Sequence, residues 1–308
     1  MNHSLTKALL PENSIDLQQW QRYIEQEIGF ILPNVQLQWL INAIDHTALS
    51  YELTPENLWY QLPKNTEMRQ HLLDSVLIHE SRFFRHMPSI DFVTKCALQH
   101  QQRNSIDDSN RTANNSDTLF RIWSVGCARG QEAWSLAMSL ASERLVDYTI
   151  LGTDISQQAI TESRLGHYNK RQQLLIPPNC QRFIKPLATN RVTTKSNSCS
   201  SSTVKDTVTN MQADWQVEPS LQQHVSFVLH NVIEQKPPTL HLQHVIVCQN
   251  MLLYFRKFDQ RDILTRLSEQ CAIGGYIILA PGEALFWRPS NMRRIAHPQV
   301  NVWQKINA

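Results

Sequence analysis

The sequence lacks the features that mark several large protein classes. Its 308 residues hold six cysteines, Cys96, Cys127, Cys180, Cys199, Cys248 and Cys271, spaced far apart and with no CxxC pair. Such spacing favours reduced thiols in a cytoplasmic protein over a disulfide framework. No charged-then-apolar leader opens the chain, and no run of about twenty apolar residues occurs, so no direct membrane insertion is expected and any membrane location would come through a partner. The twelve histidines form no HExxH, and no metal site is expected. A formal net charge of +2 is too small to argue for nucleic acid. The charge is uneven: the first hundred residues carry about four more acids than bases, which leaves the remainder basic by about six and makes it the likelier cationic docking face. With 42% hydrophobic residues, the chain reads as globular and soluble, long enough for one small and one ordinary core.

What is present centres on Arg121–Leu140, RIWSVGCARGQEAWSLAMSL. Ile122 to Val125 reads as a buried strand, Gly126 and Gly130 as a loop, and the following residues as a helix. Ala133, Trp134, Leu136, Ala137, Leu140 and Ala141 share one apolar stripe, as in a helix packed on a sheet. Glycines at a strand end let a ligand approach the backbone where α/β sheets bind their ligands. A dinucleotide loop would read GxGxxG; this one reads GCARG and continues into Gln131 and Glu132. A carboxylate there disfavours a pyrophosphate and suits an ammonium group, which points to S-adenosylmethionine. Glu132 can equally be read as a favourable acid in a first helical turn.

The second strand, Tyr148–Ile155, ends in Asp154. An acid at that place can bind a ribose diol. Its alternative reading is a helix N-cap, although Ser156 is also available for that.

The strings SVGCARGQEAWSLAM, LGTDIS, VCQNMLLYF and GGYIILAPGEAL, with ESRFFRH upstream, resemble in order the motifs of the CheR family of chemoreceptor glutamate methyltransferases over roughly residues 70–290. Gln249, where receptor methyltransferases usually carry Arg, and the FFRHMPS wording look closest to the PilK branch linked to type IV pili. The resemblance implies a doubly wound, Rossmann-like class I methyltransferase sheet with a small N-terminal all-helical domain. It implies S-adenosylmethionine as cofactor and the cytoplasmic helices of a membrane chemoreceptor as partner. By position, it carries cofactor binding onto Ser81, Arg85, Gly126, Glu132, Asp154, Asn231, Val232, Gln249 and Asn250, and catalysis onto Arg85 and Tyr254. From the residues alone, Phe83 and Phe84 could simply plug a core while Arg85 reaches water. Asn231 and Asn250 could be turn formers at strand ends. His79 departs from the family pattern and is left outside the expected site, and Gln249 removes a cation.

In chain order, residues 1–13 read as a loose tail and 14–98 as the helical domain. Residues 99–118, nearly devoid of apolar side chains, read as a flexible linker, and 119–308 as the methyltransferase domain. An insert at about 166–222 interrupts the α/β alternation, with a Ser/Thr/Asn-rich stretch at 189–209 expected to be mobile and a strand expected after it. In the resembled family this place holds a small antiparallel subdomain. Residues 225–231, 244–250 and 275–281 are further strands, Lys257–Cys271 a helix, and the C-terminal residues a closing hairpin that makes the sheet mixed. An adaptor that binds cofactor without transferring methyl groups, or a class I methyltransferase with another substrate, are the competing readings.

Overall fold

A computed structural model describes residues 16–32, 36–77, 80–107, 119–187 and 213–307. The expected loose tail, His79 and the Ser/Thr/Asn-rich stretch lie outside these residues. Among the described residues, no helix is long and apolar enough to cross a membrane.

Polar caps start the N-terminal helices. Asp16 accepts a hydrogen bond from the backbone of Gln18 and opens α1 (Leu17–Ile28), which left-handed Gly29 ends. After α2 (Leu37–Ser50), Thr54 caps α3 (Pro55–Gln61) and Asn65 caps α4 (Thr66–Val76). Trp20, Ile24, Leu40, Ile44, Leu58, Leu72 and Val76 bury their side chains in one shared core. This is the expected all-helical unit.

The end of that unit differs from the expectation. Helix α5 (Met87–Asp107) continues through Gln99 to Asp107, where a flexible linker was expected, and 108–118 lie outside the described residues. Its buried face, Ile90, Val93 and Ala97, joins the core of the sheet, not that of α1–α4. Two causes extend it. A helix already nucleated by packing propagates through good helix formers such as Gln and Arg. His100 then packs against Phe120 at 5.4 Å and His244 at 4.6 Å between ring centroids, holding one polar turn to the sheet.

The sheet region opens with β1 (Phe120–Val125), α6 (Gln131–Ser142), β2 (Tyr148–Asp154) and α7 (Gln157–Leu165), followed by an insert. In the insert, β3 (His167–Tyr168), α8 (Lys170–Gln173), β4 (Ile184–Pro186), β5 (Trp215–Val217) and α9 (Pro219–Gln222) include an antiparallel sheet of order β3-β5-β4. The expected returning strand is β5. The remaining elements are β6 (Val225–Leu229), β7 (Gln243–Cys248), α10 (Lys257–Gln270), β8 (Cys271–Leu279), β9 (Met292–Ile295) and β10 (Asn301–Lys305). The main sheet has seven strands in the order β6-β2-β1-β7-β8-β10-β9. The first five are mutually parallel, and the final hairpin pairs antiparallel, β10 lying between β8 and β9. This is the doubly wound, mixed sheet that the sequence led one to expect. Helices cover both faces, which is why β1 and β7 read as continuous apolar runs with no alternation. The α6 stripe is buried on one face, while Ile263, Leu264 and Leu267 of α10 close the other.

Candidate active site

Strand order reverses beside β1, so the C-terminal ends of β1, β2 and β7 splay around a crevice. A cavity of about 290 Å³ opens there, between the sheet ends and the helical unit. Every sequence-predicted site residue lines it: Ser81, Arg85, Gly126, Glu132, Asp154, Asn231, Val232, Gln249, Asn250 and Tyr254.

The glycine loop forms the floor. Gly126 has φ of +66°, and a Cβ there would meet the Sδ of Met251 at 3.0 Å, so a side chain would strain the backbone and force Met251 to shift. Cys127 N donates to Thr153 O at 2.9 Å, and Ala128 N donates to Asp154 Oδ2 at 2.8 Å. The loop is therefore strapped to the end of β2. Asp154 Oδ1 accepts from Ser156 N at 3.0 Å, while Ser156 itself caps α7 through Ala159 N. Asp154 is thus not the N-cap. An ionised carboxylate offers about four acceptor sites in all, the chemistry a pair of hydroxyl donors needs.

Glu132 sits in the first turn of α6, yet its side chain turns in toward β1, where Ser124 Oγ donates to Oε1 at 2.6 Å. Burial pushes its carboxyl up to about 7; the Ser124 hydrogen bond and the Arg85 guanidinium oppose this, and Glu283 adds to it. The Glu132 carboxyl thus stands near neutrality beside the cavity, with the Arg85 guanidinium as a positive neighbour. Burial together with Asp154 and Glu132 also pushes the Cys127 thiol well up, so that cysteine is a neutral wall residue and no nucleophile.

The opposite wall comes from the FFR element. Phe83 is 1% exposed and stacks edge-on to Tyr168 at 4.8 Å, with Trp215 at 5.4 Å. Phe84 has φ of +50° and its N–H donates to Ser135 Oγ on α6 at 2.9 Å. The two aromatics plug the core, as their composition suggests, and in doing so aim Arg85 at the cavity mouth. Arg85 is exposed and donates to Glu80 O at 3.0 Å. Tyr254 follows β7 in a 3-10 turn; burial raises its hydroxyl pKa, Glu80 adds to the rise and Arg85 opposes it.

Two expected contacts have other geometry. Asn231 borders the cavity, but its Nδ2 donates to Glu27 O at 3.0 Å, tying β6's end to α1. Gln249 Nε2 donates to Ser89 Oγ at 3.0 Å and lies 3.3 Å from Leu279 O, so its amide N–H groups brace α5 against the sheet. Sequence reasoning missed Ile28 and Phe30. Phe30 stacks on Tyr254 at 4.6 Å and 25°, and Ile31 N donates to Tyr254 O at 2.9 Å. The Gly29 that ends α1 marks this turn in the sequence, but no local pattern links it to Tyr254.

The family profile described as "CheR methyltransferase, SAM binding domain" matches residues 79–209 and 193–300. The chain belongs to the CheR methyltransferase family. This CheR chain is 21% identical over 295 residues to the chemotaxis protein methyltransferase Cher2 of Pseudomonas putida, covering 92% of this chain and 94% of that protein. It is 24% identical over 237 residues to chemotaxis protein methyltransferase 1 of Pseudomonas aeruginosa, covering 74% of each. The cofactor of this CheR protein is S-adenosylmethionine, and the residues present fit it: two acids, Glu132 and Asp154, border the cavity beside the glycine loop, with apolar walls at Val125, Ile155 and Val232.

Proposed function

We propose that the chain methylates glutamate side chains on the cytoplasmic helices of a membrane chemoreceptor, in the cytoplasm and within a pilus-linked pathway. The observation that carries this reading is one cavity lined by Glu132 and Asp154 at the glycine loop and by Arg85 and Tyr254 at the mouth. In this reading Glu132 holds the cofactor's ammonium group, Asp154 its ribose, and Gly126, Ser81, Val232, Gln249 and Asn250 border the rest, with Asn231 shaping the wall through Glu27. The cofactor supplies a methyl group on a positively charged sulfur.

Such an acceptor needs little base. A glutamate with a reference pKa of about 4.3 is already ionised at neutral pH, so no proton has to leave. What the chain must supply is alignment of carboxylate and methyl, worth about 7 kcal/mol or more, in a site that excludes water. Arg85 orients the carboxylate by charge-assisted hydrogen bonds and Tyr254 donates one more. In this reading the helical unit comprises α1 to α4, and the catalytic unit takes in the FFR element and α5, whose buried side chains join the core of the sheet. Assignment to the PilK branch rests on Gln249 and the FFRHMPS wording.

Tritiated S-adenosylmethionine incubated with membranes of a chemoreceptor-producing strain is the test. Label released as methanol by mild base supports glutamate methylation. Cofactor binding with no transfer to any receptor would make the chain an adaptor, and base-stable label would place the methyl group on another acceptor.

A further inference from the structure

The turn after β8, Pro281–Leu285, carries a motif that the reading above does not use. Gly282 has φ of +85° and Ala284 +53°, and the chain reverses between them. Asn301 on β10 pins that reversal, its Nδ2 donating to Ala280 O at 3.1 Å and Glu283 O at 2.9 Å. The Glu283 side chain is folded back under it. Its Oε2 accepts from Ala280 N at 2.9 Å and from Asn250 N at 3.3 Å, and the Leu252 N–H adds to the stabilisation of the carboxylate. Its Oε1 is buried with no hydrogen-bond partner.

Asn250 has φ of +59°, a left-handed conformation that Asn adopts more readily than other residues with a Cβ. From Asn250 the backbone passes through Met251, whose side chain fills the space facing Gly126, into the turn Leu252–Tyr254. Asn250, Met251 and Tyr254 all line the cavity, and Glu283 does not. A carboxylate that accepts from Asn250 N at the start of this segment and from Ala280 N, with the Leu252 N–H adding to its stabilisation, ties the segment to the turn after β8. Burial raises its pKa, while the three backbone donors and Arg85 oppose the rise. The backbone N–H groups of Ala280 and Asn250 need an acceptor at that reach, which the Glu283 side chain supplies.

We propose that Glu283 is a positioning residue: acting through the backbone of Asn250 and Leu252, it fixes the turn that sets Asn250, Met251 and Tyr254 into the cofactor cavity. This rests on the reading of that cavity as the S-adenosylmethionine site.

The test compares full-length wild type with Glu283→Gln, Glu283→Asp and Glu283→Ala by amide exchange, thermal unfolding and titration with S-adenosylmethionine. Gln keeps the reach and the acceptor, so exchange over Asn250–Tyr254 and cofactor affinity should stay within about threefold of wild type. Asp keeps the charge but is one methylene short. It and Ala should speed exchange over that segment and weaken cofactor binding by about tenfold or more, with the Gly126–Gly130 loop unchanged. Should Ala fail to fold, Asp against Gln decides. Wild-type exchange over Asn250–Tyr254 in the Asp variant, or loosening spread evenly over the sheet in both Asp and Gln, overturns the proposal. A wild type that binds no S-adenosylmethionine overturns the cofactor reading instead, and the exchange data still judge Glu283.

Discussion

The hydroxyl of Ser124 donates to Oε1 of Glu132 across 2.6 Å, fastening the first turn of α6 to the end of β1. The bond fixes where the acid points. Burial pushes its carboxyl up to about 7, against the Ser124 hydrogen bond and the Arg85 guanidinium.

Cofactor affinity should therefore depend on pH. The ammonium requires ionised Glu132, so binding should weaken about tenfold per pH unit below about 7 and release a proton. Titrations in buffers of different ionisation enthalpy measure that proton. Affinity that is flat from pH 5 to 8 would rule out Glu132 as the ammonium's partner.

The same shift has a stability sign. A carboxyl raised from 4.5 to about 7 contributes stability that is complete below pH 4.5 and lost as pH rises through about 7. The cofactor-free protein should be less stable at pH 8 than at pH 5 on this account, by about 2 kcal/mol, and Glu132→Gln should remove that difference. Urea unfolding at the two pH values checks it.

Arg85→Ala should leave cofactor affinity within about threefold but lower methyl transfer by about a hundredfold or more, because the guanidinium orients the acceptor. Arg85→Lys should restore little of this, since one ammonium cannot form the planar fork. Full turnover in Arg85→Ala would remove the residue from the mechanism.

Phe83→Ala should cost about 3 kcal/mol of stability by emptying the space against Tyr168 and Trp215. It should also lower transfer beyond what the lost folded fraction accounts for, because the same ring holds Arg85 in place. Transfer per folded molecule equal to wild type would show that Arg85 is placed without it.

Phe30→Ala removes the ring stacked on Tyr254 from the α1 side. Cofactor affinity should fall about fivefold to tenfold as that wall opens. Calorimetry on the variant decides, and unchanged affinity would confine Phe30 to the helical core.

Much of this architecture was legible because it is written in short-range pattern. The strand, loop and helix from Arg121 to Leu140, the acid closing β2, and the order of the later strands each come from apolar periodicity and glycine placement. The FFR element was ambiguous in the residues alone; in the structure its aromatics are buried in a core and its exposed arginine borders the cavity. Three features were not legible. Gln99–Asp107 is polar enough to resemble a linker, yet it extends a helix already anchored at Ile90, Val93 and Ala97. Phe30 reaches Tyr254, and Glu283 reaches Asn250, only through tertiary contact between segments distant in the chain. No local spacing encodes such pairs.

The central claim is that two acids, Glu132 and Asp154, hold a cationic nucleoside at the edge of the sheet. Calorimetric titration of S-adenosylmethionine into wild type, Glu132→Gln and Asp154→Ala at pH 8 tests it most directly. The account predicts binding to wild type and a loss of about 2 kcal/mol or more in each variant. Equal affinity in all three proteins would contradict it.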